Sequence, residues 1–355
     1  MTRKIAACSF VFALISVGFL SRDAAAQPFS AWATFAPGGG HIAIPHSAAL
    51  NPTGAFTFEA WVVETSALSG EDCRSIAGKN YQSAWWVGIC RVGGVRVVRA
   101  YLKGGSAKNG GIVPLNQWTH IAVVFDGTTE KHYINGELAF STPLAGPLTS
   151  STSEMRIGSD ANWDHPPSGS IDEVRLWNVA RTTDQLRANL NVPITTAQAG
   201  LVGVWALNGN ANDVVGSQDG SIGGSVPFNT FPAILNCGAS TPASLCLNTR
   251  FQISAQWRTN LTPGTPVDGD AHVVVAGANS GILWFFSSDN WEVMVKALNG
   301  CSLNSHYWIF SAATTNVFYR MQVVDVRAGV SKIYFNYPGP PAPAVTDVDA
   351  FATCP

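Results

Sequence analysis

Residues 117–138 read QWTHIAVVFDGTTEKHYINGEL, and their hydrophobic pattern writes two paired strands with both of their turns. Across 118–125 both alternating sets carry bulk, Trp118, His120, Ala122 and Val124 against Thr119, Ile121, Val123 and Phe125. Strand side chains alternate between faces, so bulk on both predicts a central strand covered on two sides. Asp126-Gly127 supplies the positive φ of a tight reversal, the chain returns through His132-Tyr133-Ile134, and Asn135-Gly136 is the strongest two-residue hairpin signal. Upstream, AFTFEAWVV sets Phe56, Phe58, Ala60 and Val62 against Thr57, Glu59, Trp61 and Val63. Further strands are predicted at 41–44, 74–78, 84–90, 95–102, 153–158, 170–177 and 200–207, with Gly93-Gly94 as a hairpin turn. One short helix follows Thr182 as N-cap, with Asp184 and Gln185 in its first turn and Leu186 and Leu190 four apart. From 250 onward strand follows strand, RFQISAQWRT, AHVVVAG, GILWFFS, WEVMVKAL, HYWIFSA, VFYRMQVVDV and SKIYFNY, with the turn spacing of an all-β sandwich.

The first 26 residues break this pattern. Arg3 and Lys4 precede an apolar stretch from Ile5 to Leu20, and Ala24-Ala25-Ala26 forms an A-x-A cleavage site, so a signal peptide is expected to end near Ala26. Secreted or periplasmic localisation follows. No later run reaches the roughly 18 apolar residues of a membrane helix. Without the leader, 18 basic residues face 22 acidic ones, which leaves no basic face for nucleic acid. Charged residues are 12% of the chain against about 25% in ordinary soluble domains, the composition of a secreted β protein. At about 150 residues per domain the remaining length predicts two domains. Six cysteines stay with the mature chain, and in an oxidising compartment disulfides are the default. Their positions favour neighbours, Cys73 with Cys90, Cys237 with Cys246 and Cys301 with Cys354, which would leave the two domains covalently independent.

The ordered pieces FTFEAWV, QWTHIAVVFDG, HYINGEL, MRIG, GSIDEVRLWNVARTTDQL and GLVGVWALNGNANDVVG, between about 35 and 228, resemble the laminin-G-like jelly roll of the concanavalin A-like lectin and glucanase superfamily. The resemblance implies an all-β fold, two antiparallel sheets packed as a jelly-roll sandwich, with a binding surface on the concave sheet or the rim loops. In many relatives it also implies a structural calcium ion, and Asp213 is the position most like a ligand, although turn formation explains an Asp there equally well. The stretch DNWEVMVKALNGCSLNSHYWIF is similar to a C-terminal module of other bacterial secreted proteins, with no activity attached to it. The expected organisation is a signal peptide at 1–26, the jelly roll at 27–230, a linker with a small disulfide loop at 231–250, and a smaller β-sandwich at 251–355.

Catalysis finds little support in the pattern. Jelly-roll endoglucanases place two carboxylates two residues apart on one strand, and retaining hydrolysis needs them about 5–5.5 Å apart. Here Asp172 and Glu173 are adjacent, and strict alternation would send them to opposite faces. Glu59 lies among large neighbours, a buried functional carboxylate or one satisfied by hydrogen bonds near a strand end. Asp160, Asn162 and Asp164 offer oxygens at alternate positions, but His165 and Ile171 stand where an EF-hand takes Gly and Glu, so that calcium loop fails. The same loop offers Trp163 as a stacking platform with the acids as hydrogen-bond partners. Trp61, Trp118, Trp177 and Trp205 are expected in the sandwich interior, whereas one of the adjacent pair Trp85 and Trp86 should be exposed to a ligand. The function expected is a non-catalytic recognition or adhesion protein for a glycan or an extracellular protein. The alternatives are a polysaccharide hydrolase or lyase, and a structural envelope component.

Overall fold

Strand Thr119–Phe125 is buried at every position and lies between Phe56–Glu64 and Thr129–Ile134, the central place its two bulky faces require. The structure is a computed structural model that describes residues 30–66, 72–103, 107–161, 164–259, 267–339 and 341–355. The leader at 1–26 and the loop residues Asn162 and Trp163 lie outside the described residues. The first sheet runs Glu137–Pro143, Thr129–Ile134, Thr119–Phe125, Phe56–Glu64, Gly169–Trp177, Trp32–Phe35 and Phe228–Asn229, with Leu201–Trp205 pairing on Gly169–Trp177. The second sheet packs against it, with Trp86–Val92 between Cys73–Gly78 and Val95–Tyr101. Phe56, Phe58, Ala60, Ile121, Val123 and Phe125 meet Trp85, Val87, Ile89 and Val98 in one apolar core. The turns use the residues that positive φ demands, Asn135 at 50° with Gly136 at 76°, and Gly93 at 57° with Gly94 at 89°.

Alternation fails at one place. Between Asp172 and Arg175 the register slips, and Glu173 takes a φ of 48°. Asp172 Oδ1 accepts the Glu173 backbone N–H at 3.0 Å and so closes the bulge on itself. The bulge turns Glu173 to the side of Arg175, whose Nη2 donates to it at 2.8 Å. The opposite-face expectation for Asp172 and Glu173 is thereby corrected. The helix Thr183–Asn189 starts with a full capping box, Thr182 and Gln185 each bonding the other's backbone N–H. It buries Leu186 against Ala122, Val124 and Tyr133 on the outer face of the first sheet.

A second, smaller sandwich holds its own core, including Leu245, Leu247, Phe251, Ile253, Val293, Val295, Met321 and Phe351. One sheet orders Leu245–Leu247, Phe251–Thr259, Phe318–Asp325 and Val330–Asn336, with Val267–Asp270 alongside; the other orders His272–Ala276, Ser280–Trp284, Trp291–Asn299, Tyr307–Ala313 and Val345–Phe351. Its charged anchor is Arg250. Nε and Nη2 donate to the two oxygens of Asp325 at 2.8 and 2.7 Å, and Nη1 donates to the Tyr307 hydroxyl at 2.7 Å. A buried guanidinium with a bidentate carboxylate and further acceptors is a well-compensated charge. Disulfides join Cys73 to Cys90, Cys237 to Cys246 and Cys301 to Cys354; Cys246 sits on strand Leu245–Leu247, so the expected linker at 231–250 gives its last residues to the second sandwich, and the middle bridge ties the preceding segment to it.

The two sandwiches meet on the outer face of the first sheet. Trp61 stacks on Phe335 with centroids 6.2 Å apart, and its Nε1 donates to Leu190 O at 3.0 Å. Arg187 lies 3.7 Å over the Tyr337 ring, and Asn191 Nδ2 donates to Ile333 O. Trp205 and Trp85 are the tryptophans of the first core. Trp61 and Trp177 instead point outward and are buried by what covers that face, and Trp118 is half-buried beside Trp61. The interior expectation for these three is corrected, because a sheet buried on both sides gives its outer face the same apolar pattern as its inner one.

Candidate functional site

A polar cleft runs along the seam between the sandwiches. On the first domain it is walled by Asn116, Gln117 and Trp118, just ahead of strand Thr119–Phe125. Asn116 has a φ of 57°, its N–H donates to Glu64 O at 2.8 Å, and Thr119 Oγ1 donates to Gln117 O at 3.1 Å. The loop is thus pinned to the ends of two central strands. On the second domain the wall is the outer face of the paired strands Phe251–Thr259 and Phe318–Asp325, where Ser254 pairs with Gln322 and Gln256 with Arg320. The cleft has two connected halves of about 320 and 240 Å³, and Gln117, Gln256, Asp270 and Arg320 line both. Trp257 flanks the second half and donates its Nε1–H to Asp270 O at 3.3 Å. Arg320 Nη1 donates to Gln256 Oε1 at 3.1 Å, and Gln256 Nε2 donates to Asp270 Oδ1 at 3.1 Å. Burial without a compensating acid lowers the Arg320 pKa to about 10.

The carboxylates that could suit hydrolysis lie elsewhere and are sealed. Glu59 is fully buried under the segment that carries the helix. Oε1 accepts from Trp177 Nε1 at 2.7 Å, Oε2 lies 3.2 Å from His120 Nε2, and Arg181 Nε is 3.7 Å from Oε1. Burial alone would raise its pKa, yet the His120 imidazole and the Arg175 and Arg181 charges outweigh it and hold the carboxyl below its ordinary value. Burial pushes His120 down, so a neutral imidazole sits beside a carboxylate. Asp172 is equally inaccessible. Neither presents an oxygen to a polysaccharide in this conformation.

Residues 37–187 match the family model described as the concanavalin A-like lectin/glucanases superfamily. This domain belongs to that superfamily. Pappalysin-1 of Mus musculus is 34% identical over 79 residues, which is 21% of this chain and 5% of that protein, so the chain spans a small part of that curated relative. Among solved structures, a Bacteroides ovatus ATCC 8483 protein assigned to carbohydrate binding shares 22% identity at a TM-score of 0.49, over 57% of this chain and 60% of its own. The heptameric SAP-like pentraxin of Limulus polyphemus shares 14% at 0.42, over 58% of this chain and 97% of its own.

In this concanavalin A-like domain the sequence-predicted site residues do not come together as a ligand platform. Trp85 and Trp86 do point oppositely, but both are buried. Trp85 packs on Phe56 and Phe58 and donates to Leu50 O at 3.2 Å; Trp86 donates to Ser75 Oγ at 2.9 Å and is covered by Tyr81 and Tyr101. Neither offers a face to a ligand, which corrects their assignment. Asp160 is buried and accepts the backbone N–H groups of Asn80 and Tyr81 at 2.9 and 3.0 Å, so it closes a turn. Asp164 is exposed and accepts from Ser159 Oγ at 2.6 Å.

Asp213 likewise serves the backbone. Oδ1 accepts from Val204 N and Val215 N at 3.0 and 3.1 Å, and Oδ2 accepts from Gln218 N at 3.1 Å. A carboxylate facing three N–H donors has few lone pairs left for a cation, and among the described residues no group of three His, Cys, Asp or Glu could hold a metal. The residues do not fit calcium at this position. Asp213→Asn is therefore expected to lower stability by about 1–3 kcal/mol through lost acceptors, with the same loss in millimolar calcium and in chelator. A melting midpoint that rises with calcium in wild type and not in the variant would restore the metal reading.

Sequence reasoning missed Arg320, Gln256, Gln117 and Asp270 and assigned Trp118 to the core. The signal was present as alternation: FQISAQWR puts Ser254, Gln256 and Arg258 on one face, and FYRMQ puts Arg320 and Gln322 on one face.

Proposed function

We propose that this protein is a non-catalytic glycan-recognition protein of an oxidising, extracytoplasmic compartment, and that the glycan is held in the cleft between its two sandwiches. The observation that carries the reading is the lining of that cleft. Amide groups of both domains and the carboxylate and guanidinium groups of the second converge on it, with Trp118 and Trp257 at its walls. Sugars present vicinal hydroxyls to planar hydrogen-bonding groups and C–H faces to aromatic rings, and a cavity of this size takes one or two rings. A third hollow of about 390 Å³ on the far sheet is mainly apolar, with Met294, Leu298, Phe310 and Val345 beside Lys296, Ser311 and Thr346, and it has no amide, carboxylate or guanidinium side chain in its lining. The superfamily of the first domain supports a carbohydrate ligand, and the sealing of Glu59 and Asp172 supports binding without turnover. The three disulfides suit the compartment, and among the described residues no helix is long and apolar enough to cross a membrane.

The test is a glycan array probed with the whole chain and with Ser254→Trp, which fills the cleft from an exposed position. Retention of a defined glycan set by wild type and at least tenfold weaker binding by the variant are expected, with equal thermal midpoints. Binding that ignores the filled cleft would move the site elsewhere, and release of reducing ends from a bound glycan would make the protein an enzyme.

A further inference from the structure

We propose that the glycan carries a carboxylate and that Arg320 is the residue that recognises it. The proposal rests on the glycan reading above and adds the class of sugar. Arg320 borders both halves of the cleft with only 6% of its surface exposed. Its Nη1 is engaged by Gln256, but Nε and Nη2 have no hydrogen-bond partner, and among the described residues no carboxylate forms an ion pair with it. Buried guanidinium groups are ordinarily matched by an acid or by several acceptors.

The same chain shows what that free edge is shaped for. Arg250 uses its Nε and Nη2 to grip both oxygens of Asp325, and Asp325 ends the strand that carries Arg320. In Arg320 that bidentate edge is buried without a protein partner, with Gln256 fixing the opposite corner of the fork. A planar carboxylate matches two parallel N–H donors, and a guanidinium shut away from bulk water gains more from such a pair than an exposed one does. The surrounding lining suits the rest of an acidic sugar. Gln117, Gln322 and Ser254 supply neutral donors and acceptors for hydroxyls, while Asp270, held by Gln256, can accept from a hydroxyl but repels a second acid. The site therefore favours a sugar with one carboxylate directed at Arg320 over a densely charged polyanion.

The experiment uses the full chain on an array of uronic-acid and other acidic glycans, their carboxyl-reduced counterparts, sulfated glycans and neutral glycans. Titration calorimetry follows on one hit and its reduced form. Wild type is expected to bind the acid form at least tenfold more tightly than the carboxyl-reduced form. Arg320→Gln is expected to bind both forms alike, at the level of wild type with the reduced form, and Arg320→Lys to recover part of the preference. Thermal melting of Arg320→Gln should match or exceed wild type, since the replaced cation has no protein acid to lose. Tight binding confined to neutral or sulfated glycans, or a preference for the acid form that survives Arg320→Gln, overturns the proposal and leaves glycan recognition standing. Silence across the whole array overturns both.

Discussion

Glu59→Gln is expected to lower the stability of the first sandwich by about 3–5 kcal/mol at pH 7, the range for breaking a buried ion pair from one side. The change keeps the shape of the side chain and leaves Oε1 able to accept from Trp177 Nε1. What it removes is the negative charge facing Arg181, which stacks 3.9 Å over Trp177 and otherwise reaches only the carbonyl of Gln185. Arg175 keeps Glu173 and two backbone carbonyls, so Arg181 bears most of the loss. For a domain of about 200 residues the melting midpoint should fall by on the order of 10 °C. The pH dependence carries a sign of its own. The folded carboxyl is held below its ordinary value, so the unfolded chain binds more protons in the acid range. The contribution of Glu59 is complete above the unfolded pKa of about 4 and is lost as pH falls through the lower folded value. Urea midpoints of wild type and variant should converge as the pH drops below 4. A difference under 1 kcal/mol at pH 7 would mean that backbone carbonyls alone compensate Arg181.

Local features of this fold are written in local sequence. The central strand, its Asn-Gly turn, the helix cap at Thr182 and the pairing of neighbouring cysteines each depend on a few adjacent residues, and each stands where the pattern places it. What the pattern does not carry is what covers a face. Trp61, Trp177 and Trp86 alternate as core residues do, yet Trp61 is buried by Leu190 and the second domain, Trp177 by Arg181 and Ile194, and Trp86 by Tyr81 and Tyr101. The bulge at Glu173 leaves only a small mark, two polar residues in a row between the core residues Ile171 and Val174, where strict alternation allows one. The cleft is the extreme case. Arg320 and Gln256 are cross-strand partners separated by some sixty residues, and Gln117 reaches them only when the sandwiches dock. Polar residues alternating outward on a strand read as solvated until something is known to face them.

Glu64 governs the neutral pH range in the opposite sense to Glu59. It ends strand Phe56–Glu64 fully buried, Oε1 accepts from Ser168 N at 3.0 Å, and Oε2 has no partner. Burial is the largest influence and raises its pKa from 4.5 to about 7, against the weaker pull of the Ser168 hydrogen bond and of Arg74 and Arg96. Between those two values the folded chain binds more protons than the unfolded one, so stability falls as pH rises through the window. A shift of that size corresponds to about 3 kcal/mol, fully lost above pH 7. Glu64→Gln keeps an acceptor for Ser168 and cannot ionise. It should match wild type near pH 4.5 and exceed it by about 2–3 kcal/mol at pH 8, read from urea midpoints at pH 4.5, 6 and 8. A stability gap that is constant with pH would show that Glu64 ionises as an ordinary carboxylate and has no part in the trend.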